Sequence, residues 1–154
     1  FNKYIDIDKV FVKPSYKLPD HIIPAQLSPA IVKSLYLSEG SMNMFEQKVI
    51  VEIAALPNIL FWHRNLERGK GFCINGFKSN HYPDFIVVTN SRKVVVVETK
   101  GDDRDNSDSA AKNRLGRTWA NKAGANFKYF MVFDKQSMED TLTLEQLKER
   151  LKEL

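Results

Sequence analysis

The sequence predicts an α/β domain in which a central mixed sheet is flanked by helices, and three observations support this prediction. Residues 82–89 and 93–100 are rich in β-branched side chains and are separated by the turn-forming residues Thr-Asn-Ser-Arg. The second segment contains the run Val94 to Val97, which is apolar on both faces, as in a strand covered on both sides. Segments with helical spacing precede and follow this pair. The expected order is therefore helix, three or four strands, helix, strand, helix.

Composition predicts one globular unit with a basic surface. The 154 residues, 43% of them hydrophobic, are enough for one core. A net charge of +4 favours a polyanionic partner without requiring one. The single cysteine, Cys73, excludes an internal disulfide and argues against a cysteine-based zinc site. The apolar runs are too short to span a membrane and no signal peptide opens the chain, so we expect a cytoplasmic protein without a membrane partner.

Residues 1–40 are predicted to be an arm or linker, and residues 41–154 the domain itself. Prolines interrupt the beginning of the arm, where we expect extended chain with one strand at residues 9–12. Ser-Pro-Ala then opens a short helix predicted over residues 28–37, with proline in its first turn. Because the chain begins with Phe1 rather than Met, we expect it to be a piece of a larger protein.

The first helix of the domain is predicted from residue 41 or 43 to residue 55, and Pro57 prevents its continuation. Apolar residues recur along it at helical spacing, and Glu46 lies beside this apolar stripe. Two short strands are predicted to follow, at residues 60–64 and 71–77. The hairpin of residues 82–100 comes next.

The second half of the domain is predicted to contain two helices and one strand. Ser107 or Asp108 caps a helix that reaches about residue 122 and is closed by Gly124. A strand at residues 126–133 follows. The sequence Thr143-Leu-Glu-Gln is typical of a capping box and begins a last helix with leucines at helical spacing.

The hairpin brings three charged side chains together. Side chains alternate across a strand, so Glu98 and Lys100 share one face and Thr99 points to the other. A turn centred near residues 91–92 places Asp84 across from Glu98 to Lys100. Paired Cβ atoms lie roughly 4.5 to 5.5 Å apart, at which distance two carboxylates can hold one divalent cation. Mg²⁺ prefers oxygen ligands and bridges to phosphate, which points to phosphodiester hydrolysis.

The same residues match a family motif. Pro83-Asp84, thirteen intervening residues and Glu98-Thr99-Lys100 resemble the PD-(D/E)XK nuclease motif, which implies a restriction-endonuclease-like αβββαβ core with a central mixed sheet flanked by helices. The chain is also similar to the C-terminal endonuclease domain of type III restriction enzymes and of related DEAD/DEAH-type helicases. That similarity lies in residues 32–36, 45–46, 61–65, 81–87, 97–101 and 112–119.

The resemblance implies a metal-dependent endodeoxyribonuclease with named roles for five residues. Asp84 and Glu98 would bind Mg²⁺, for which Mn²⁺ could substitute, together with the backbone carbonyl of Thr99. Lys100 would lie near the attacking water, either as a base or as a positioning charge. The catalytic glutamate of the first helix corresponds to Glu46, with Glu52 as the alternative.

The resemblance also implies partners. These are double-stranded DNA, a helicase or translocase domain that precedes the nuclease and alone would use ATP, and a methylation or specificity subunit that chooses the target. Lys112, on the helix after the motif, is a candidate for contact with the scissile phosphate, although a solvated lysine is nearly as good an explanation. Further phosphate contacts are expected from other basic residues, each of which could equally be a simple surface charge: Arg104, Arg114, Arg117 and Lys122.

Several alternatives remain open at the level of sequence. A salt bridge on an exposed hairpin would also explain Asp84, Glu98 and Lys100. His63 and His81 lack the spacing of a histidine-based nuclease, and His63 is expected on a strand surface near the site. The rival functions are a nuclease-fold DNA-binding module with weak or lost cleavage and a docking domain. The aromatic residues that could stack on bases are expected in the core instead: Trp62, Trp119 and Tyr129.

Overall fold

The computed structural model describes residues 17–18, 27–66, 70–75, 80–101, 106–135 and 138–154. The strand predicted at residues 9–12 lies outside these ranges. In chain order the helices and strands are α1 (Met44–Ala54), β1 (Ile59–Arg64), β2 (Ile74–Asn75), β3 (Asn80–His81), β4 (Phe85–Thr89), β5 (Val94–Lys100), α2 (Asn106–Ala123), β6 (Phe127–Phe133), β7 (Leu142–Thr143) and α3 (Leu144–Lys152).

Five strands form one mixed sheet in the order β1-β4-β5-β6-β7. Strands β1, β4 and β5 pair antiparallel, whereas β5, β6 and β7 pair parallel. The connection between β5 and β6 is helix α2, as expected for a parallel pair that needs a crossover. Strands β2 and β3 form a separate two-stranded ribbon. The predicted central mixed sheet is therefore confirmed.

Helices cover both faces of this sheet. On one face, α1 and α3 pack against a core that includes Val95 and Val97. On the other face, α2 packs against a second core that includes Val96 and Met131. The alternation of side chains along β5 thus sends successive valines into two different cores. This arrangement explains why the valine run is apolar on both faces and confirms the prediction of a strand covered on both sides.

Local sequence signals set most of the element boundaries. Asn43 caps α1 and forms a reciprocal capping box with Glu46, and Thr143 does the same for α3 with Gln146. Gly124 follows α2 with φ of 105°, the left-handed conformation that glycine adopts after a helix. The predicted helices at 43–55, at 107–122 and after Thr143 are therefore confirmed to within one or two residues.

The helix predicted over residues 28–37 is wrong. This segment instead forms turns and single bridges, with Ser34 bridged in parallel to Trp62 of β1. The Trp62 N–H donates to the Lys33 carbonyl at 2.9 Å, and the Leu35 N–H donates to the Trp62 carbonyl at 2.8 Å. Because β1 is an edge strand, its free backbone groups compete for this segment and override its local helix signal.

Two predicted strands are shorter than expected. Of residues 71–77, only Ile74–Asn75 is a strand within the described part of the chain. The segment predicted as residues 82–89 becomes a strand only at Phe85, because Pro83 has no N–H to continue the ladder. Among the helices of the described residues, none combines the length and apolar character that crossing a bilayer requires.

Candidate active site

The predicted charged residues meet where β4 begins and β5 ends. Phe85 pairs with Val97, so Asp84, one residue before β4, stands opposite Glu98. Glu98 and Lys100 belong to the last three residues of β5 and are 4% and 9% exposed. The hairpin register predicted from the sequence is thus the one observed.

Thr99 holds the Asp84 carboxylate. Its backbone N–H donates to Asp84 Oδ2 at 2.7 Å, and its hydroxyl donates to the same oxygen at 2.8 Å. Burial raises the pKa of Asp84, and the two hydrogen bonds from Thr99 offset part of that rise. Since the N–H and the C=O of one strand residue point to the same edge, the Thr99 carbonyl faces the Asp84 side of β5.

Glu98 and Lys100 are buried in direct contact, with Lys100 Nζ 2.6 Å from Glu98 Oε1. Burial, and then the Asp84 carboxylate, raise the pKa of Glu98 to about 8 against the opposing effect of Lys100. The second carboxylate oxygen, Oε2, is buried and has no hydrogen-bond partner among the described residues. A buried carboxylate oxygen without a partner is costly, and a bound cation would remove that cost.

Glu46 lies on the other side of Asp84, at the beginning of α1. Its carboxylate accepts a hydrogen bond from the Asn43 N–H at 2.8 Å, and its Oε2 lies 3.2 Å from Arg64 Nη1. It also contributes to the raised pKa of Asp84, so the two carboxylates lie within electrostatic range. Glu52, the alternative, pairs instead with Lys148 of α3 at 2.9 Å. The structure therefore brings Glu46 to the site and turns Glu52 away from it.

Lys112 faces the same site from helix α2. It pairs with Asp108 one turn earlier at 2.5 Å, and its charge acts on both Glu98 and His81. Because about 3.6 residues complete a helical turn, Arg114 and Arg117 fall on the far side of α2 from Lys112. Both are exposed, and Arg117 forms an ion pair with Asp140.

Lys122, a further predicted phosphate contact, is exposed in the last turn of α2. Arg104 lies outside the described residues. Of the four described basic residues predicted to contact DNA, Lys112 is the one whose charge acts on Glu98.

A buried pair of residues that no sequence pattern predicts lies beside the site. His81 Nε2 lies 2.9 Å from the hydroxyl of Tyr129, and both residues are nearly inaccessible to solvent. Burial, with Lys112 and Lys100 nearby, lowers the pKa of His81 to about 3, and burial raises that of Tyr129 well above its ordinary value. Both groups are therefore neutral near pH 7. No local pattern links two residues 48 positions apart.

His63 also differs from its prediction, because it is fully buried rather than on a strand surface. Its Nδ1 lies 3.4 Å from Glu39 Oε2, and its ring packs edge-on against Tyr36. The predicted core positions of Trp62, Trp119 and Tyr129 are confirmed.

The donor set fits a hard divalent cation. Within the described ranges, no group of three or more His, Cys, Asp or Glu side chains is arranged to hold a metal ion. Asp84 and Glu98 supply two carboxylates, and the Thr99 carbonyl faces the same side. Mg²⁺ is commonly bound by one or two carboxylates and keeps several waters, so such a set suffices. It would not suit Zn²⁺, which prefers nitrogen and sulfur ligands.

Comparisons of the chain with protein-family models, with curated proteins and with solved structures found no match.

Proposed function

We propose that this chain is a metal-dependent nuclease domain that hydrolyses phosphodiester bonds in DNA, built on a restriction-endonuclease-like αβββαβ core. One observation carries the proposal. Two carboxylates, Asp84 and Glu98, converge at neighbouring strand ends beside Lys100, and a buried oxygen of Glu98 lacks a partner among the described residues. Burying such a cluster is costly unless a ligand compensates.

The roles of the residues follow from their chemistry. Asp84, Glu98 and the Thr99 carbonyl would hold Mg²⁺, which when bound polarises a phosphoryl oxygen and lowers the pKa of a coordinated water. Lys100 is close enough to Glu98 to hold the attacking water beside that carboxylate. Lys112 faces the same carboxylates from α2 and supplies a positive charge for the scissile phosphate. Glu46 keeps Arg64 paired and adds negative charge near Asp84.

We also propose the setting in which this module works. The resemblance of Pro83-Asp84 and Glu98-Thr99-Lys100 to the motif of type III restriction enzymes supports a cleavage module that follows an ATP-dependent DNA translocase and works with a methylation or specificity subunit. ATP would then be used outside these 154 residues.

The second candidate function is a DNA-binding or docking module on the same fold. Two contacts favour this second function: Lys100 with Glu98, and Thr99 with Asp84. In both of them the carboxylate is bound by a protein group rather than by a metal ion. Cleavage is the better proposal because this pairing leaves Glu98 Oε2 without a partner among the described residues.

The test is nicking of supercoiled plasmid by the purified protein with Mg²⁺ or Mn²⁺. We expect EDTA to abolish nicking and the double variant Asp84→Ala, Lys100→Ala to reduce it on the order of 100-fold or more. The matched control is the double variant Arg150→Ala, Glu153→Ala, which also removes one acidic and one basic side chain. These two residues form an exposed ion pair at the end of α3, so this variant should nick at the wild-type rate. A folded wild-type protein that does not nick, alone or within the full-length protein supplied with ATP, would refute the proposal.

A further inference from the structure

Asp84 lies outside the strand ladder that would normally hold it. Strand β4 begins at Phe85, and Pro83 cannot donate a backbone hydrogen bond. Thr99 holds the Asp84 carboxylate itself, so the direction from which this carboxylate enters the site depends on contacts that fix the backbone of residues 82–84.

Asn65 provides these contacts, one residue beyond the end of β1. Its backbone N–H donates to the Asp84 carbonyl at 2.8 Å, and its side-chain Nδ2 donates to the Pro83 carbonyl at 2.9 Å. The same Nδ2 donates to the Phe72 carbonyl at 2.7 Å, and Oδ1 accepts from the Phe72 N–H at 2.9 Å. The carboxamide is 6% exposed, and both of its ends are engaged with backbone.

The segment at Gly71 and Phe72 is shaped to reach Asn65. A Cβ on Gly71 would lie 2.1 Å from the Leu66 carbonyl oxygen and 2.6 Å from Asn65 Oδ1, so only glycine allows this approach. Phe72 is in turn held by Trp119 of α2, with ring centroids 5.1 Å apart. Asn65 is therefore fixed by a second part of the chain and is not simply a loop residue that happens to touch the turn.

Residues 82–84 are also anchored on the side opposite Asn65. His81, immediately before residues 82–84, is held by the Tyr129 hydroxyl at 2.9 Å. Tyr129 can lie there because Gly116 of α2 has no side chain, since a Cβ at that position would come within 2.4 Å of the tyrosine ring. Since His81 and Tyr129 are both neutral near pH 7, their hydrogen bond persists across the neutral range.

We propose that Asn65, on one side, and the His81–Tyr129 pair, on the other, clamp residues 82–84 and are positioning residues that fix the Asp84 carboxylate for cation binding. This inference rests on the metal site of the function proposed above. Groups that orient metal ligands without touching the metal commonly change metal affinity by about 10- to 100-fold when they are removed.

The test is Mn²⁺ binding, followed by electron paramagnetic resonance, on the intact chain without DNA. We expect Asn65→Ala to weaken binding about 10-fold. Asn65→Asp should weaken it at least as much, because the carboxylate oxygen in the place of Nδ2 would then face the carbonyls of both Pro83 and Phe72. Tyr129→Phe, which removes only the hydroxyl, should have a smaller effect in the same direction.

Asn58→Ala is the matched control. Asn58 precedes β1 at its opposite end, and its side chain donates to the Leu151 carbonyl at 2.6 Å. Its loss should lower the melting temperature without changing Mn²⁺ affinity. A merely structural role for Asn65 would give this same result.

The outcomes separate the clamp from the nuclease. Folded Asn65 variants that bind Mn²⁺ as tightly as the wild type would overturn the clamp and leave the proposed function standing. Weakened Mn²⁺ binding in a protein whose wild type never nicks plasmid would support the clamp and overturn the cleavage proposal. A wild type that binds no Mn²⁺ would overturn both. If Asn65→Asp does not fold, Asn65→Ser, which keeps a single donor, takes its place.

Discussion

Burial of Glu98 sets the electrostatic character of the site at the scale of single residues. The carboxylate is 4% exposed, is close to Asp84 and has Lys100 as its partner. Desolvation of the Glu98 carboxylate outweighs the attraction of Lys100, and the pKa of Glu98 therefore rises to about 8. In the metal-free protein this group therefore favours its protonated form near neutral pH, and a cation that bound there would have to displace that proton.

The cost of burying the charged form of Glu98 predicts how the stability of the metal-free protein depends on pH. The pKa of Glu98 rises from 4.5 in a solvated chain to about 8 in the folded protein, so between these values the folded state binds more protons than the unfolded state. Its contribution to stability is therefore fully present below about pH 4.5 and is lost as the pH rises through about 8. The free energy of unfolding of the wild type minus that of Glu98→Gln should fall by on the order of 3 kcal/mol between about pH 5 and about pH 8.

Urea unfolding in EDTA measures this difference. The comparison cancels the pH dependence of groups that do not interact with Glu98, and a constant cost of leaving Lys100 without its partner does not change with pH. A difference that is constant with pH would show that Glu98 titrates as a solvated carboxylate.

At the scale of elements, the close contact of α2 with β6 places Tyr129. Gly116 lies on the buried side of the helix, where the tyrosine ring occupies the space of a side chain. Glycine inside a helix costs about 1 kcal/mol relative to alanine, so its presence there needs a packing reason. The approach of the Tyr129 ring is that reason, and it brings the phenol to His81.

Gly116→Ala should therefore destabilise the protein in spite of the better helix propensity of alanine. The added methyl would overlap the Tyr129 ring, and overpacking of this kind costs about 1 to 3 kcal/mol. Urea unfolding provides the measurement. Asn121→Ala, at an exposed position on the same helix, controls for propensity and should be neutral or slightly stabilising. Equal or greater stability of Gly116→Ala would contradict the proposed packing.

For the molecule as a whole, the net charge of +4 does not identify which surface would meet DNA under the proposed function. Within the described part of α2, Lys112 faces the carboxylates, whereas Arg114 and Arg117 lie on the far side of the helix. A DNA duplex placed with a phosphate at the carboxylates would thus contact Lys112 and would not contact Arg114 or Arg117. Position relative to the sheet, and not charge alone, decides which basic residue takes part.

This arrangement predicts that the DNA affinities of Lys112→Ala and Arg114→Ala depend differently on salt concentration. Lys112→Ala should weaken binding of a labelled duplex about equally for all sequences, and should reduce the slope of log affinity against log salt by about 0.9. Arg114→Ala should leave that slope at the wild-type value. Fluorescence anisotropy without Mg²⁺ measures both. Equal slopes for wild type and Lys112→Ala would remove Lys112 from the DNA contact.

Features that depend on near neighbours could be predicted from the amino-acid sequence. Turn residues set the hairpin register and therefore the approach of Asp84 to Glu98, and the capping boxes set two helix starts. The valine run likewise specified a strand covered on both sides, because alternation is a local property.

Contacts between distant parts of the chain could not be predicted in this way, because they depend on how the helices and strands pack. Residues 28–37 pair with the edge strand β1 instead of forming the predicted helix. Asn65 binds residues 82–84 at the point where Pro83 ends the hydrogen bonding of β4. The pairing of His81 with Tyr129 depends on where α2 crosses β6. These positions result from competition among packing and hydrogen-bonding partners that local periodicity does not specify.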